Sequence, residues 1–88
     1  MIVMLAGNMG AAEFHLKQRG INPKDKRQCL VVTNVEAARR LAGYRFDREV
    51  DTLIECLTTR DWTSKEHEEI FVILRQLDVT KLKYEGIC

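Results

Sequence analysis

The chain has 88 residues, of which 45% are hydrophobic and 31% are charged. This length predicts one domain spanning residues 1–88, and the apolar fraction is enough for a packed core and too high for a disordered chain. The formal net charge of +1 provides no overall field that would attract nucleic acid or an anionic membrane surface. We therefore expect neither of these as a partner.

The cysteines and the first residues of the chain indicate the cellular compartment of the protein. The three cysteines form an odd set without a CxxC spacing, and two of them lie in apolar runs: Cys29, Cys56 and Cys88. Residues 1–6 are apolar but lack preceding basic residues and meet Gly7 too early for a signal peptide, and no apolar run approaches the ~20 residues of a membrane span. The sequence predicts reduced thiols and a soluble, cytoplasmic protein.

The first elements are a strand, a turn and a helix. Residues 2–6 form a short continuous apolar run that is typical of a buried strand, and the glycine turn at residues 7–10 follows it. Residues 10–19 are good helix formers. Gly20 followed by Ile21 has the pattern of a helix stop, in which a left-handed glycine precedes an apolar residue that packs back on the last turn.

A second strand and helix follow. Residues 28–33 are a continuous run rich in β-branched side chains, which predicts a central strand covered on both faces. Thr33 and Glu36 have the spacing of a capping box, so we expect Thr33 to cap a helix that ends at Gly43. The alternation of strand and helix favours a parallel sheet with right-handed crossovers.

The segment at residues 48–57 fits two structures. Its apolar residues lie at helical spacing, but Thr52, Ile54 and Cys56 also alternate as in a strand. A helix has just ended at Gly43, and the alternation of elements then requires a strand. We predict a strand here, and the helical alternative stays open.

The last helix is the best defined by its pattern. Thr63 and Glu66 form a second capping box, followed by an apolar stripe at helical spacing. Residues 79–88 show no clear period, which leaves open whether they are a docked tail or a flexible end. The predicted fold is a small three-layer α/β domain of order β-α-β-α-β-α with a short, mainly parallel sheet.

The glycine turn is the one predicted ligand site. A strand that leads through such a turn into a helix presents backbone N–H groups and a helix dipole to an anion. A phosphate-binding GxxxxGK[ST] loop needs a lysine and a hydroxyl after its second glycine, where this chain has Ala11 and Ala12, and a GxGxxG fingerprint needs a glycine where it has Met9. A turn required only by chain geometry and a surviving phosphate or nucleotide pocket both stay open. The candidate ligand-binding residues are Gly7, Asn8, Met9, Gly10, Thr33, Asn34 and Arg60.

Four segments together resemble small Rossmann-like proteins encoded by bacteriophages: LAGNMGAAEF, CLVVTN, LAGYRFDREVD and DWTSKEHEEI. The segment LAGYRFD is similar to the loop and strand start that follow the second strand of the P-loop domain in packaging and helicase-type ATPases. ATPases of that type carry a lysine and a hydroxyl after the second glycine, so the departure at Ala11 and Ala12 puts hydrolysis in doubt. The resemblance implies a truncated relative with a degenerate P-loop that has kept the fold and lost the enzymatic activity.

No other group of residues in the sequence predicts chemistry. His15 and His67 lack partners at zinc-site spacing, and nothing near the thiols would lower their pKa, so we expect no metal, no cofactor and no catalytic residue. The acidic residues Asp47, Glu49, Asp51 and Glu55 alternate with arginines, which is typical of a solvated edge. Trp62 is expected to pack over the start of the last helix.

The resulting functional hypothesis is a binding role. A small sheet has open edges and leaves apolar surface for a partner, so we expect a non-catalytic interaction module that acts by self-association or by binding another protein. The alternative hypothesis is a nucleotide or phosphate ligand held by the turn from Gly7 to Gly10.

Overall fold

The computed structural model describes residues 1–87 of the chain, with the exception of the Ile87 side chain. Its strands and helices are β1 (Ile2–Leu5), α1 (Met9–Gln18), β2 (Cys29–Val32), α2 (Val35–Arg39), β3 (Thr52–Cys56), α3 (Ser64–Gln76) and β4 (Lys83–Ile87). Short 3₁₀ helices cover Arg40–Gly43, Leu57–Asp61 and Val79–Lys81. Among residues 1–87, no helix has both the length and the apolar character needed to cross a membrane.

The four strands form one parallel sheet in the order β2-β1-β3-β4. On one face, Met4 and Ile54 of the inner strands pack against Ala12 and Leu16 of α1. On the other face, the core includes residues of α2, α3 and the last 3₁₀ helix, among them Ala38, Ile70, Leu74 and Val79. The predicted three-layer, Rossmann-like α/β fold is confirmed, and the strand prediction for residues 48–57 is confirmed over Thr52–Cys56.

One prediction about the sheet needs correction, and one strand was not predicted. The run at residues 28–33 was expected to be central, but β2 is an edge strand, and the inner strands are β1 and β3. Its side chains are apolar on both faces because Leu30 and Val32 belong to one core cluster, while Cys29 and Val31 pack in the other, which includes Leu16 of α1. The sequence also did not predict β4, which the tail forms by pairing in parallel with β3. The last residue of that tail, Cys88, lies outside the described residues.

The helix ends follow local chemistry. Gly20 has φ of 74°, its N–H donates to the Lys17 carbonyl and the Ile21 N–H donates to the Leu16 carbonyl, both at 3.0 Å. These bonds form a Schellman motif, so the predicted stop of α1 is confirmed. The capping box of Thr63 and Glu66 is confirmed at α3.

The cap of α2 differs from the prediction. Asn34, and not Thr33, is the N-cap, because the Asn34 Oδ1 accepts the Ala37 N–H at 2.8 Å. The carbonyl of Thr33 instead accepts the Trp62 indole N–H at 3.0 Å. That bond holds Thr33 outside the helix and leaves the next residue to cap it.

Not all of the acidic residues at positions 47–55 form the predicted solvated edge. Asp51 is buried, and its carboxylate accepts the Met1 ammonium at 2.8 Å and the Asp47 backbone N–H at 2.7 Å. Burial raises the pKa of Asp51, but the hydrogen bonds to the ammonium and the amide outweigh burial, so this pKa lies below its ordinary value. Glu55 lies on the inner strand β3. The prediction of a solvated edge is therefore wrong for Asp51 and Glu55.

Candidate functional site

The carboxyl ends of the parallel strands meet at one edge of the sheet. From β1 the chain builds β2 on one side and β3 with β4 on the other, so the strand order reverses between β1 and β3. In open parallel sheets, ligands bind outside the carboxyl ends of the strands at such a reversal. The segments that follow the strands here are the glycine turn at residues 7–10, Thr33 with Asn34, and Leu57–Asp61.

The glycine turn packs against the chain that follows β3. The Gly7 N–H donates to the Thr58 hydroxyl at 3.0 Å, and a Cβ at position 7 would lie 2.0 Å from the Thr58 carbonyl oxygen. Asn8 caps α1, because its Oδ1 accepts the Ala11 N–H at 2.8 Å. Close approach to Thr58 thus explains Gly7 without a ligand, and two of the amides around this turn already have partners within the protein.

The predicted site residues that follow β2 also form hydrogen bonds within the protein. Asn34 caps α2 as Asn8 caps α1, and the Thr33 carbonyl accepts the Trp62 N–H. The centroids of the Trp62 and His67 rings lie 6.1 Å apart across the start of α3. These residues precede and follow the N-cap Thr63 at the two positions that form a hydrophobic staple. These contacts give Thr33, Asn34 and Trp62 structural roles.

Arg60 lines a different cavity from the predicted turn. It borders a cleft of about 420 Å³ beside the carboxyl ends of β3 and β4. Its lining also includes Glu55, His67 and Tyr84, which the sequence motifs do not indicate as site residues. One sequence signal does point to Glu55, because it follows the core residues Leu53 and Ile54 on a strand whose neighbours are apolar.

The carboxylate of Glu55 accepts hydrogen bonds from two other residues at this cleft. The Tyr84 hydroxyl donates to Glu55 Oε1 at 2.9 Å, and the Thr59 hydroxyl donates to Glu55 Oε2 at 3.0 Å. The His67 Nε2 lies 3.9 Å from Oε2, and the His67 ring stacks on Phe71 with 4.5 Å between centroids. The hydrogen bond to Glu55 raises the pKa of Tyr84, with smaller contributions from burial and from the carboxylate charge, so the phenol stays protonated as a donor at neutral pH.

A second cavity follows the outer edge of β2. It has a volume of about 340 Å³, and its lining includes Leu30 on one face of this edge strand and Cys29 and Val31 on the other. Its apolar lining includes Leu30, Val31 and Leu41, together with the exposed side chains of Met9 and Tyr44. Its charged lining is entirely basic among the described residues: Lys24, Lys26 and Arg40. We call this cavity the β2 groove.

The buried thiols lack features of nucleophiles. Burial raises the pKa of the Cys29 thiol, and the charge of Asp25 raises it further. Burial also raises the pKa of the Cys56 thiol, against the smaller opposing effect of Arg19. Both groups are therefore protonated at neutral pH, which is the state of an inert core cysteine.

Neither a metal centre within residues 1–87 nor a related protein assigns a function to the chain. In residues 1–87, no group of three or more His, Cys, Asp or Glu side chains is arranged to hold a metal ion. The chain matches no protein-family model, no curated protein and no solved structure. The resemblance to phage-encoded Rossmann-like proteins therefore stays a prediction.

Proposed function

We propose that this protein is a non-catalytic binding module that accepts an acidic, extended segment of another protein in the β2 groove. The observation that carries the proposal is an open strand edge next to exposed apolar side chains and a rim of basic residues. Main-chain hydrogen bonds along such an edge supply affinity, and the flanking side chains supply specificity.

The backbone of β2 has bonding capacity on its outer side. The Ile2 N–H donates to the Gln28 carbonyl at 2.9 Å and the Ala6 N–H donates to the Val32 carbonyl at 3.1 Å. Because alternate residues of a strand point their amides to opposite sides, Val31 points its N–H and C=O away from β1. Within residues 1–87 no backbone or side-chain group accepts the Val31 N–H, so an added strand has a free donor and acceptor there.

The apolar surface beside this edge supplies contact area. Met9 is 51% exposed and Tyr44 is 38% exposed, although both are large apolar side chains. They line the groove together with Leu30 and Val31. Covering these side chains removes apolar area from water, which favours association.

The rim determines the sign of the partner's charge. Lys24, Lys26 and Arg40 are all exposed and line the groove, and the nearby Asp25 carboxylate lies 3.5 Å from the Arg27 guanidinium. A basic rim attracts carboxylates and repels cations. Two copies joined through their β2 edges would bring two basic rims together, so the charges favour another protein over self-association at this edge.

The alternative of a phosphate ligand at the glycine turn has less support. The Thr58 hydroxyl and the Asn8 side chain already accept the N–H groups of Gly7 and Ala11. A phosphate there would compete with these bonds.

The proposal is tested with a nine-residue peptide in which glutamate alternates with valine, and with a matched peptide carrying lysine in place of each glutamate. We expect the acidic peptide to bind at least about tenfold more tightly than the basic one, with backbone amide NMR shifts concentrated in β2. The affinity should fall as salt rises, because the rim charges are exposed.

Three outcomes would contradict the proposal. They are equal affinity for the two peptides, shifts that map away from β2, and concentration-dependent shifts of β2 amides without peptide, which would indicate self-association. Nucleotide-induced shifts confined to residues 7–10 would favour the phosphate alternative instead.

A further inference from the structure

Glu55 occupies a position where an apolar residue would extend the core. Along β3 it shares a face with the buried Leu53, and its neighbours in register are the buried Leu5 on β1 and Gly86 on β4. Its side chain is only 20% exposed. A partly desolvated carboxylate is costly unless polar groups compensate it, so its presence here calls for an explanation.

The internal partners satisfy only part of this carboxylate. Two ionised carboxylate oxygens have about four acceptor sites, and the hydroxyls of Tyr84 and Thr59 fill two of them. His67 Nε2, at 3.9 Å, is too far to donate a hydrogen bond directly. Gly86, which lies opposite Glu55 without a side chain, leaves space on this side of the sheet.

A positive charge lines the same cleft without neutralising Glu55. Arg60 is exposed, and no carboxylate in residues 1–87 lies within 4.0 Å of its guanidinium. Glu55 and Arg60 therefore present separate charges of opposite sign to one cavity. Leu57 and Tyr84, which are 43% and 59% exposed, add apolar surface to its lining.

We propose that this cleft binds a small zwitterion, namely a free α-amino acid with an apolar or aromatic side chain. Its ammonium group binds Glu55, its carboxylate binds Arg60, and its side chain packs against Leu57 and Tyr84. The cleft volume of about 420 Å³ is in the range of small-ligand sites. This site is at the carboxyl ends of β3 and β4 and is independent of the β2 groove.

The test is an NMR titration of the whole chain with the twenty free amino acids, followed by analogues of the best binder. We expect an apolar or aromatic amino acid to shift the amides of Glu55, Thr59 and Gly86. Its analogues without the amino group and without the carboxyl group should each bind at least about tenfold more weakly, since each loses one charge pair.

Substitutions separate the two charges. Glu55→Gln should weaken binding of the amino acid at least about tenfold and leave binding of the analogue without the amino group unchanged. Arg60→Gln should likewise weaken binding of the amino acid and leave binding of the analogue without the carboxyl group unchanged. Glu68→Gln and Arg75→Gln are matched controls at exposed positions of α3. Gly86→Val fills the cleft without changing charge and should abolish binding.

The folded state of every variant is checked by its amide spectrum, so that loss of fold is not counted as loss of binding. The proposal is overturned if no amino acid at 20 mM shifts the cleft amides. It is equally overturned if both truncated analogues bind as well as the parent. Neither result bears on the peptide titration at β2, so the two proposals fail separately.

Discussion

Gly7→Ala is expected to destabilise the protein by about 3 kcal/mol, at the upper end of the usual cost of overpacking. The added Cβ would lie 2.0 Å from the carbonyl oxygen and 2.8 Å from the carbonyl carbon of Thr58. Both are backbone atoms, so a side-chain rotation cannot relieve the clash. The chain after β3 must move away, and the 3.0 Å bond from the Gly7 N–H to the Thr58 hydroxyl weakens with it. Urea unfolding monitored through Trp62 fluorescence measures the change.

The control for this prediction is Gly43→Ala. A Cβ at position 43 meets no atom within 4 Å, and no positive φ opposes it. We expect this variant to be at least as stable as the wild type, because alanine reduces the entropy of the unfolded chain. Equal stability of the two variants would show that the contact between the turn and Thr58 is not close in solution, and would reopen the glycine turn as a ligand loop.

Reversing the charge of the β2 groove is expected to abolish binding of the acidic peptide. In the variant Lys24→Glu, Lys26→Glu and Arg40→Glu, three attractive contacts become repulsive. Exposed ion pairs contribute about 0.2–1 kcal/mol each, so loss and reversal together come to about 3 kcal/mol, or about 100-fold in affinity. Fluorescence anisotropy of the labelled peptide measures this loss, and the variant should gain affinity for the basic peptide.

The matched control makes the same net charge change elsewhere. Lys17, Lys65 and Arg75 are exposed, lie outside the β2 groove and have no ion-pair partner within residues 1–87, so their replacement by glutamate breaks no ion pair and makes the same net charge change. We expect this control to retain most of the affinity at physiological salt. An equal loss in both triple variants would mean that net charge, and not the rim, attracts the peptide.

The sequence predicted best the features that depend on nearby residues. The glycine stop after α1 and the capping box of α3 each involve residues within a few positions of one another, and both were found. The cap of α2 was placed one residue early, because the bond that holds Thr33 outside the helix comes from Trp62, 29 residues away.

The errors in the sheet have a non-local origin. The composition of β2 suits a central strand, but its place at the edge depends on where the chain carries β3 after the second helix. The tail strand Lys83–Ile87 pairs with β3 although it has little apolar pattern of its own. The order of strands is a property of the whole chain, and composition does not reveal it.

The candidate site was predicted only in part. Arg60 was selected, but the cleft that it lines depends on Glu55, His67 and Tyr84, which come from three elements and meet only in the fold. Gly7 was selected as part of a ligand-binding turn, and its contact with Thr58 could not be predicted from spacing because Thr58 is 51 residues away. Sequence spacing indicates where a backbone turn lies and does not indicate which distant residues contact it.

The most direct test of the proposed binding mode is hydrogen exchange at the Val31 amide, with and without the acidic peptide. Alone, this edge amide should exchange rapidly, since nothing in residues 1–87 accepts it. With saturating peptide we expect at least about tenfold slower exchange at Val31 and unchanged exchange along β4, the other edge strand. Unchanged exchange at Val31 under saturation, or slow exchange there without peptide, would contradict strand addition at β2.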